Sequence, residues 1–260
     1  MSTGLERIAA AFAATNGRAA LMPYLMGGFP DLEASCAIGE AYADGGADLV
    51  ELGVPFSDPL ADGPVIHAAG TQALAAGATV PAVLELGRAL SERFPVILMC
   101  YSNLVLARGV ERFADELETA NVSGLIIPDL PLEKAPPVLE ACDAAGIALV
   151  PLVAPTTPEE RLARIGAQAR GFVYTVSVTG TTGERAELDP GALLTRVRAH
   201  ATVPVALGFG ISSPEQAAAA AAAGADGVIV GSRLVRAAGD GEDMAALVAE
   251  LAGALRSPAH

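Results

Sequence analysis

Short, almost unbroken apolar runs alternate along the chain with longer segments in which apolar residues recur at helical spacing. The runs occupy residues 20–26, 49–54, 96–101, 124–127, 148–153, 171–176, 205–209 and 227–230. Most lack the polar alternation of a strand with one wet face, so they predict parallel strands covered on both sides. The segments 31–44, 80–93, 109–120, 132–145, 158–169, 190–200 and 214–223 are rich in Ala, Glu and Arg and predict helices. Several open on start signals: Thr79 before Val80-Pro81, Thr157-Pro158, Asp189-Pro190 and Ser213-Pro214-Glu215. Residues 45–53 (GGADLVELG) are echoed by 223–231 (AGADGVIVG), each a helix end, a glycine turn and the next strand. Eight such units predict a (β/α)8 TIM barrel, one domain over residues 1–260, with a doubly wound open sheet as the competing arrangement. Two additions are expected: an amphipathic helix before the first strand, and an extra helix near 66–75 after the second strand.

A barrel of this kind carries its chemistry at the C-terminal ends of the strands. That rule singles out Glu51, late in an otherwise apolar run, and the loop that follows it. Strand alternation puts Leu49, Glu51 and Gly53 on one face and Val50 and Leu52 on the other. Burying a carboxylate costs free energy unless it is paired or protonated, and no Lys or Arg is adjacent. Two readings stand: a core glutamate satisfied by a distant partner, or a proton donor whose pKa desolvation raises. The loop is stiffened by Pro55, Pro59 and Pro64 and carries Asp58 and Asp62. Asp62 is either a second member of an acid/base pair or an Asx turn or N-cap for a helix starting near Pro64. Tyr101 and Asn103 are expected to end the third strand and line the pocket, with a cap of the following turn as the alternative for Asn103. His67 reads as a surface or helix-packing residue and Cys100 as packing.

Glycines cluster at later strand ends, in Thr179-Gly-Thr-Thr-Gly183, Gly208-Phe-Gly-Ile-Ser-Ser213 and Gly231-Ser232. Glycine lets backbone N–H groups approach a phosphate, and a helix start adds a favourable dipole. The formal charge is −14. It disfavours nucleic acid and anionic membranes as partners, and it leaves main-chain amides rather than basic side chains to hold an anionic substrate. The polar segment 180–189 is either a lid or a plain surface loop. Three scattered cysteines and three scattered histidines form no metal motif, and no apolar run is long enough to span a bilayer. A reduced, cytoplasmic protein is expected.

With these residues in hand the chain resembles the alpha subunit of tryptophan synthase over nearly its whole length. The signature is ELGVPFSDPLADGP at 51–64; PYLMGGFPD at 23–31, PDLP at 128–131, SVTGTTG at 177–183 and GFGISSPEQ at 208–216 support it in order. The resemblance implies retro-aldol cleavage of indole-3-glycerol phosphate to indole and glyceraldehyde 3-phosphate, with Glu51 and Asp62 as the catalytic acids. It implies a phosphate site at Gly183, Phe209, Gly210, Gly231 and Ser232, and an indole pocket of Tyr24, Met99, Tyr101, Ile126 and Tyr174. Thr182 falls at a position that orders the lid. No cofactor is implied for this chain; pyridoxal phosphate belongs to a beta subunit, the expected partner in an α2β2 complex, docking near Asp58, residues 103–108 and Pro131. The chain departs from some relatives: Val178 stands for an arginine, Tyr24 for a phenylalanine, and Met99 and Ile126 for leucines. The alternatives are a stand-alone indole-releasing lyase, another phosphate-binding barrel enzyme, or a subunit that only binds and activates its partner.

Overall fold

The computed structural model describes residues 2–176, 190–208 and 210–256. Nine parallel strand segments form one curled sheet: β1 (Ala20–Met26), β2 (Val50–Gly53), β3 (Val96–Met99), β4 (Gly124–Ile126), β5 (Ala148–Leu149), β6 (Leu152–Val153), β7 (Val173–Val176), β8 (Val205–Gly208) and β9 (Gly227–Val230). The fifth predicted strand is thus two pieces. Val150 still donates its N–H to Leu125 O on the β4 side at 2.9 Å, whereas Pro151, which has no N–H, offers its carbonyl to Tyr174 N on the β7 side at 3.0 Å. Pairing changes neighbour at this proline, and chain continuity from β5 to β6 closes the ring into a barrel.

Before β1 lies α1 (Gly4–Ala14), begun by a capping box between Thr3 and Glu6. It plugs the N-terminal end of the barrel: Ile8 is fully buried, and Phe12 packs on Phe172 with ring centroids 5.9 Å apart. Outside the strands come α2 (Leu32–Asp44), α3 (Pro64–Ala75), α4 (Val80–Leu90), α5 (Ser102–Arg108), α6 (Val110–Thr119), α7 (Ala135–Ala144), α8 (Glu159–Gln168), α9 (Pro190–Arg198), α10 (Pro214–Ala222), α11 (Ser232–Asp240) and α12 (Met244–Arg256). Asp31, Thr79 and Ser213 cap α2, α4 and α10 through their side chains. Thr157 does not cap α8; it turns back to accept from Ala154 N.

The alternation read around Glu51 holds. Val50 and Leu52 join the core between sheet and helices, while Leu49 joins the barrel interior. At the opposite end from α1, α3 and α11 pack Ala69, Ala73 and Val235 against Tyr24 and Met26. The C-terminal mouth is therefore roofed by the extra helix after β2 and by the helix after β9. The sequence reading missed α5, α11 and α12. It also ended the third strand too late: β3 stops at Met99, Tyr101 is the N-cap of α5, and Asn103 lies in the first turn of that helix. No single helix among the described residues is long and apolar enough to cross a membrane.

Candidate active site

Glu51 sits in the middle of β2 with its Cα opposite Tyr24 on one side and Ile97 on the other. It is 1 % exposed. Its Oε2 is buried with no hydrogen-bond partner, and no cation pairs with it among the described residues. Burial, and then the charge of Asp62, push the carboxyl up to about 8. A carboxyl in such surroundings keeps its proton at neutral pH. The satisfied core glutamate of the first reading is not what forms.

Asp62 is half-buried in the loop between β2 and α3. Its Oδ1 accepts a hydrogen bond from the Tyr101 hydroxyl at 2.9 Å, and that hydroxyl oxygen accepts from Ala61 N at 3.0 Å. Phe56 stacks on the Tyr101 ring, centroids 5.2 Å apart. The end of β3 thereby grips the loop at both the ring and the hydroxyl. Asp62 does not cap α3; that position is Gly63, with no side-chain cap. Burial raises the Asp62 carboxyl, while the Tyr101 hydrogen bond and nearby His67 pull it down. The two carboxyls thus share a cavity but not an environment.

That cavity, about 320 Å³, opens at the C-terminal mouth. Glu51 and Asp62 line one part, with Ala61, Gly63 and Ile66; Gly210, Gly231 and Ser232 line another. Tyr24, Met99 and Tyr174 face the same space, whereas Tyr101 does not line it and is hydrogen-bonded to Asp62, and Ile126 lies in the barrel interior. Thr182, Gly183, Phe209, Val178 and the 180–189 segment lie outside the described residues. Two glycines are required by close approach: a Cβ on Gly53 would fall 1.9 Å from the Tyr24 hydroxyl, and one on Gly208 would fall 2.5 Å from that of Tyr174. Gly210 has φ +81°, a conformation that side chains resist.

The glycine-rich wall holds a helix start. Gly231 is the N-cap of α11 and offers no side chain to its first turn, so those N–H groups are available to an anion. The neighbouring start, α10, is closed by the Ser213 hydroxyl, and Ser212 is tied to Gln216 Oε1 through its N–H and hydroxyl at 2.8 and 2.9 Å. Arg233 and Arg236 also line the cavity, which the charge balance did not anticipate. Arg233 is neutralised by a two-point pair with Glu242 at 2.9 and 2.7 Å. Arg236 has no carboxylate partner among the described residues. The spacing from Ser232 to Arg236 is one helical turn, the only sequence signal that could have found it. Among the described residues no cluster of His, Cys, Asp and Glu could hold a metal ion.

A cavity with a protonated carboxyl, a second acid on a braced loop and an open helix start can bind a phosphate ester and move protons at its far end. The family model "Tryptophan synthase alpha chain" matches residues 11–256. A tryptophan synthase alpha chain of Prochlorococcus marinus is 51 % identical over 224 residues, covering 85 % of this chain and 82 % of the relative. One of Methanosarcina mazei is 46 % identical over 238 residues, 92 % of this chain and 88 % of the relative. Among solved structures, a chain of Mycobacterium tuberculosis tryptophan synthase superposes with TM-score 0.90 at 40 % identity, covering 99 % of this chain and 100 % of that one. A chain from the α2β2 complex of Pyrococcus furiosus gives 0.81 at 34 % identity, covering 91 % and 99 %.

Proposed function

Because the chain belongs to the tryptophan synthase alpha chain family, we propose that the mouth-side cavity is its indole-3-glycerol phosphate lyase site, with Glu51 and Asp62 as the proton-transfer pair. The chain is the lyase subunit: it cleaves indole-3-glycerol phosphate by a retro-aldol reaction to indole and glyceraldehyde 3-phosphate. Its partner is the beta subunit, in an α2β2 assembly. The observation that carries the assignment is a buried, unpaired Glu51 in one cavity with Asp62 and the uncapped start of α11.

The division of labour follows from the surroundings. The scissile bond joins indole C3 to a hydroxyl-bearing carbon. Glu51, protonated at neutral pH, gives its proton to C3, which turns the ring into a cationic leaving group. Asp62, held by Tyr101, stabilises that charge at the ring N–H. Ionised Glu51 then takes the proton of the side-chain hydroxyl as the aldehyde forms, and the donor is restored. Separated surroundings for two carboxyls suit opposite roles in one cycle. Tyr24, Met99 and Tyr174 give the ring an apolar bed. The phosphate binds at Gly210, Gly231 and Ser232; the family resemblance adds Gly183 and Phe209 to that set and gives Thr182 a part in the loop beside them. These steps need no cofactor of this chain; pyridoxal phosphate is assigned to the beta subunit. The setting is cytoplasmic.

Docking of the beta subunit onto this mouth has support in exposed apolar side chains. Leu60, in the Asp62 loop, is 90 % exposed and Leu106, on α5, is 61 % exposed. Burying two large apolar side chains of this kind under a partner would remove them from water. The test is to incubate the purified chain with indole-3-glycerol phosphate, with and without beta subunit, and measure indole. Turnover that rises with beta subunit, and falls by about 10² or more in Glu51→Gln, is expected. An active Glu51→Gln enzyme would assign the proton to another group. Full activity without partner would make the chain a stand-alone lyase, and no activity in either case a binding subunit only.

A further inference from the structure

Two polar groups in the cavity are left poorly satisfied, and they sit side by side in the sheet. One is Glu51 Oε2, buried without a partner. The other is the hydroxyl of Tyr24, whose side chain is buried and whose only acceptor among the described residues is the Met26 sulfur at 4.0 Å. A thioether is a weak acceptor. Tyr24 and Glu51 are register partners on adjacent parallel strands, so their side chains leave the same face.

The Tyr24 side chain packs against two glycines. Its backbone carbonyl accepts from the Tyr42 hydroxyl at 3.1 Å. Its Cβ lies 3.7 Å from where a Cβ on Gly231 would stand, and its hydroxyl 1.9 Å from where one on Gly53 would stand. The ring therefore runs from the helix-start wall to the carboxylate wall. Its hydroxyl fills the place of the missing side chain at position 53, the next mouthward position on the face that carries Glu51. A substrate with its phosphate at Gly231 and Ser232 and its ring-bearing carbon at Glu51 lays its glycerol chain along this tyrosine.

We propose that Tyr24 is a further catalytic residue, whose hydroxyl donates a hydrogen bond to the oxygen of the substrate hydroxyl that Glu51 deprotonates. The proposal rests on the lyase reading of the site. In the bond-breaking step the hydroxyl proton passes to the Glu51 carboxylate and the O–H electron pair becomes the C=O bond. The C–C pair passes to the indole ring, already protonated at C3. Negative charge grows on the oxygen until the carbonyl is complete, and a fixed donor there favours the transition state over the bound substrate. Burial and the neighbouring carboxylates hold the Tyr24 phenol well above its ordinary range, so it serves as a donor and not as a base. Because tyrosine stands where the family resemblance gives phenylalanine, its hydroxyl adds to the rate without being the whole of it.

The experiment is Tyr24→Phe in the α2β2 complex, read by two reactions. One is steady-state cleavage of indole-3-glycerol phosphate. The other is exchange of the C3 hydrogen of free indole into D2O, which needs Glu51 and the ring pocket but no substrate hydroxyl. Losing one hydrogen bond to a developing charge should lower kcat about tenfold, with KM little changed and indole exchange at the wild-type rate. Unchanged kcat would overturn the proposal. So would an equal fall in both reactions, which would mean that the ring merely shapes the pocket. Failure of the wild-type complex to cleave the substrate would instead overturn the lyase reading beneath it.

Discussion

Glu51→Gln should alter how folding stability depends on pH, apart from its effect on turnover. Glutamine matches a protonated glutamic acid in size and has no proton to lose. The wild-type carboxyl is pushed up from 4.5 to about 8 by burial and by Asp62. Between those values the native chain keeps a proton that the unfolded chain has released, so unfolding releases a proton. Stability contributed at this site is therefore intact below pH 4.5 and is lost as pH rises towards 8. The slope is about 1.4 kcal/mol per pH unit. Between pH 5 and pH 7.5 the wild type thus loses about 3 kcal/mol that the glutamine variant does not. Apart from Asp62, whose charge is coupled to Glu51, the other titrating groups act alike in both proteins, so the quantity to read is the difference. Urea unfolding at half-unit pH steps would supply it. The stability of the variant minus that of the wild type should climb by about 3 kcal/mol across the window. A flat difference would mean that Glu51 is already ionised at pH 5 in the native state, and the protonated donor on which the mechanism depends would be gone.

Two further outcomes follow from the same geometry. Arg236→Gln should raise KM for indole-3-glycerol phosphate by roughly two- to tenfold at low salt, with kcat unchanged, and the effect should fade as salt screens it; salt-dependent steady-state kinetics would check it, and a salt-independent change would point to packing. Leu106→Asp should weaken association with the beta subunit by about tenfold or more while leaving the basal cleavage rate of the isolated chain alone, which titration of activity against beta subunit would measure.

Much of this protein could be read along the chain. Continuous apolar runs closed by glycine located the strands, and two of them, Ala20–Met26 and Gly227–Val230, have the predicted bounds. A parallel strand covered on both faces has no polar period to mislead, so its composition and its burial agree. Glu51 was visible for the same reason, since a lone acid in such a run must be buried. What could not be read depends on closure of the barrel. The fifth strand breaks because its pairing passes from β4 to β7 at Pro151, and a proline in an apolar run does not say which neighbour each half will meet. Helix α5 begins without a side-chain N-cap of its own; the Ser102 N–H and hydroxyl are satisfied by Asp129, 27 residues away. Asp62 read as a turn or cap residue as well as a catalytic acid until Tyr101, 39 positions on, took its oxygen. Arg236 faces the cavity only because α11 is laid across the mouth against α3. Periodicity and burial are local properties of a segment, and the sequence settles them. The partner of a buried polar group is set by which strand ends the closed sheet brings together, and that is decided only in three dimensions.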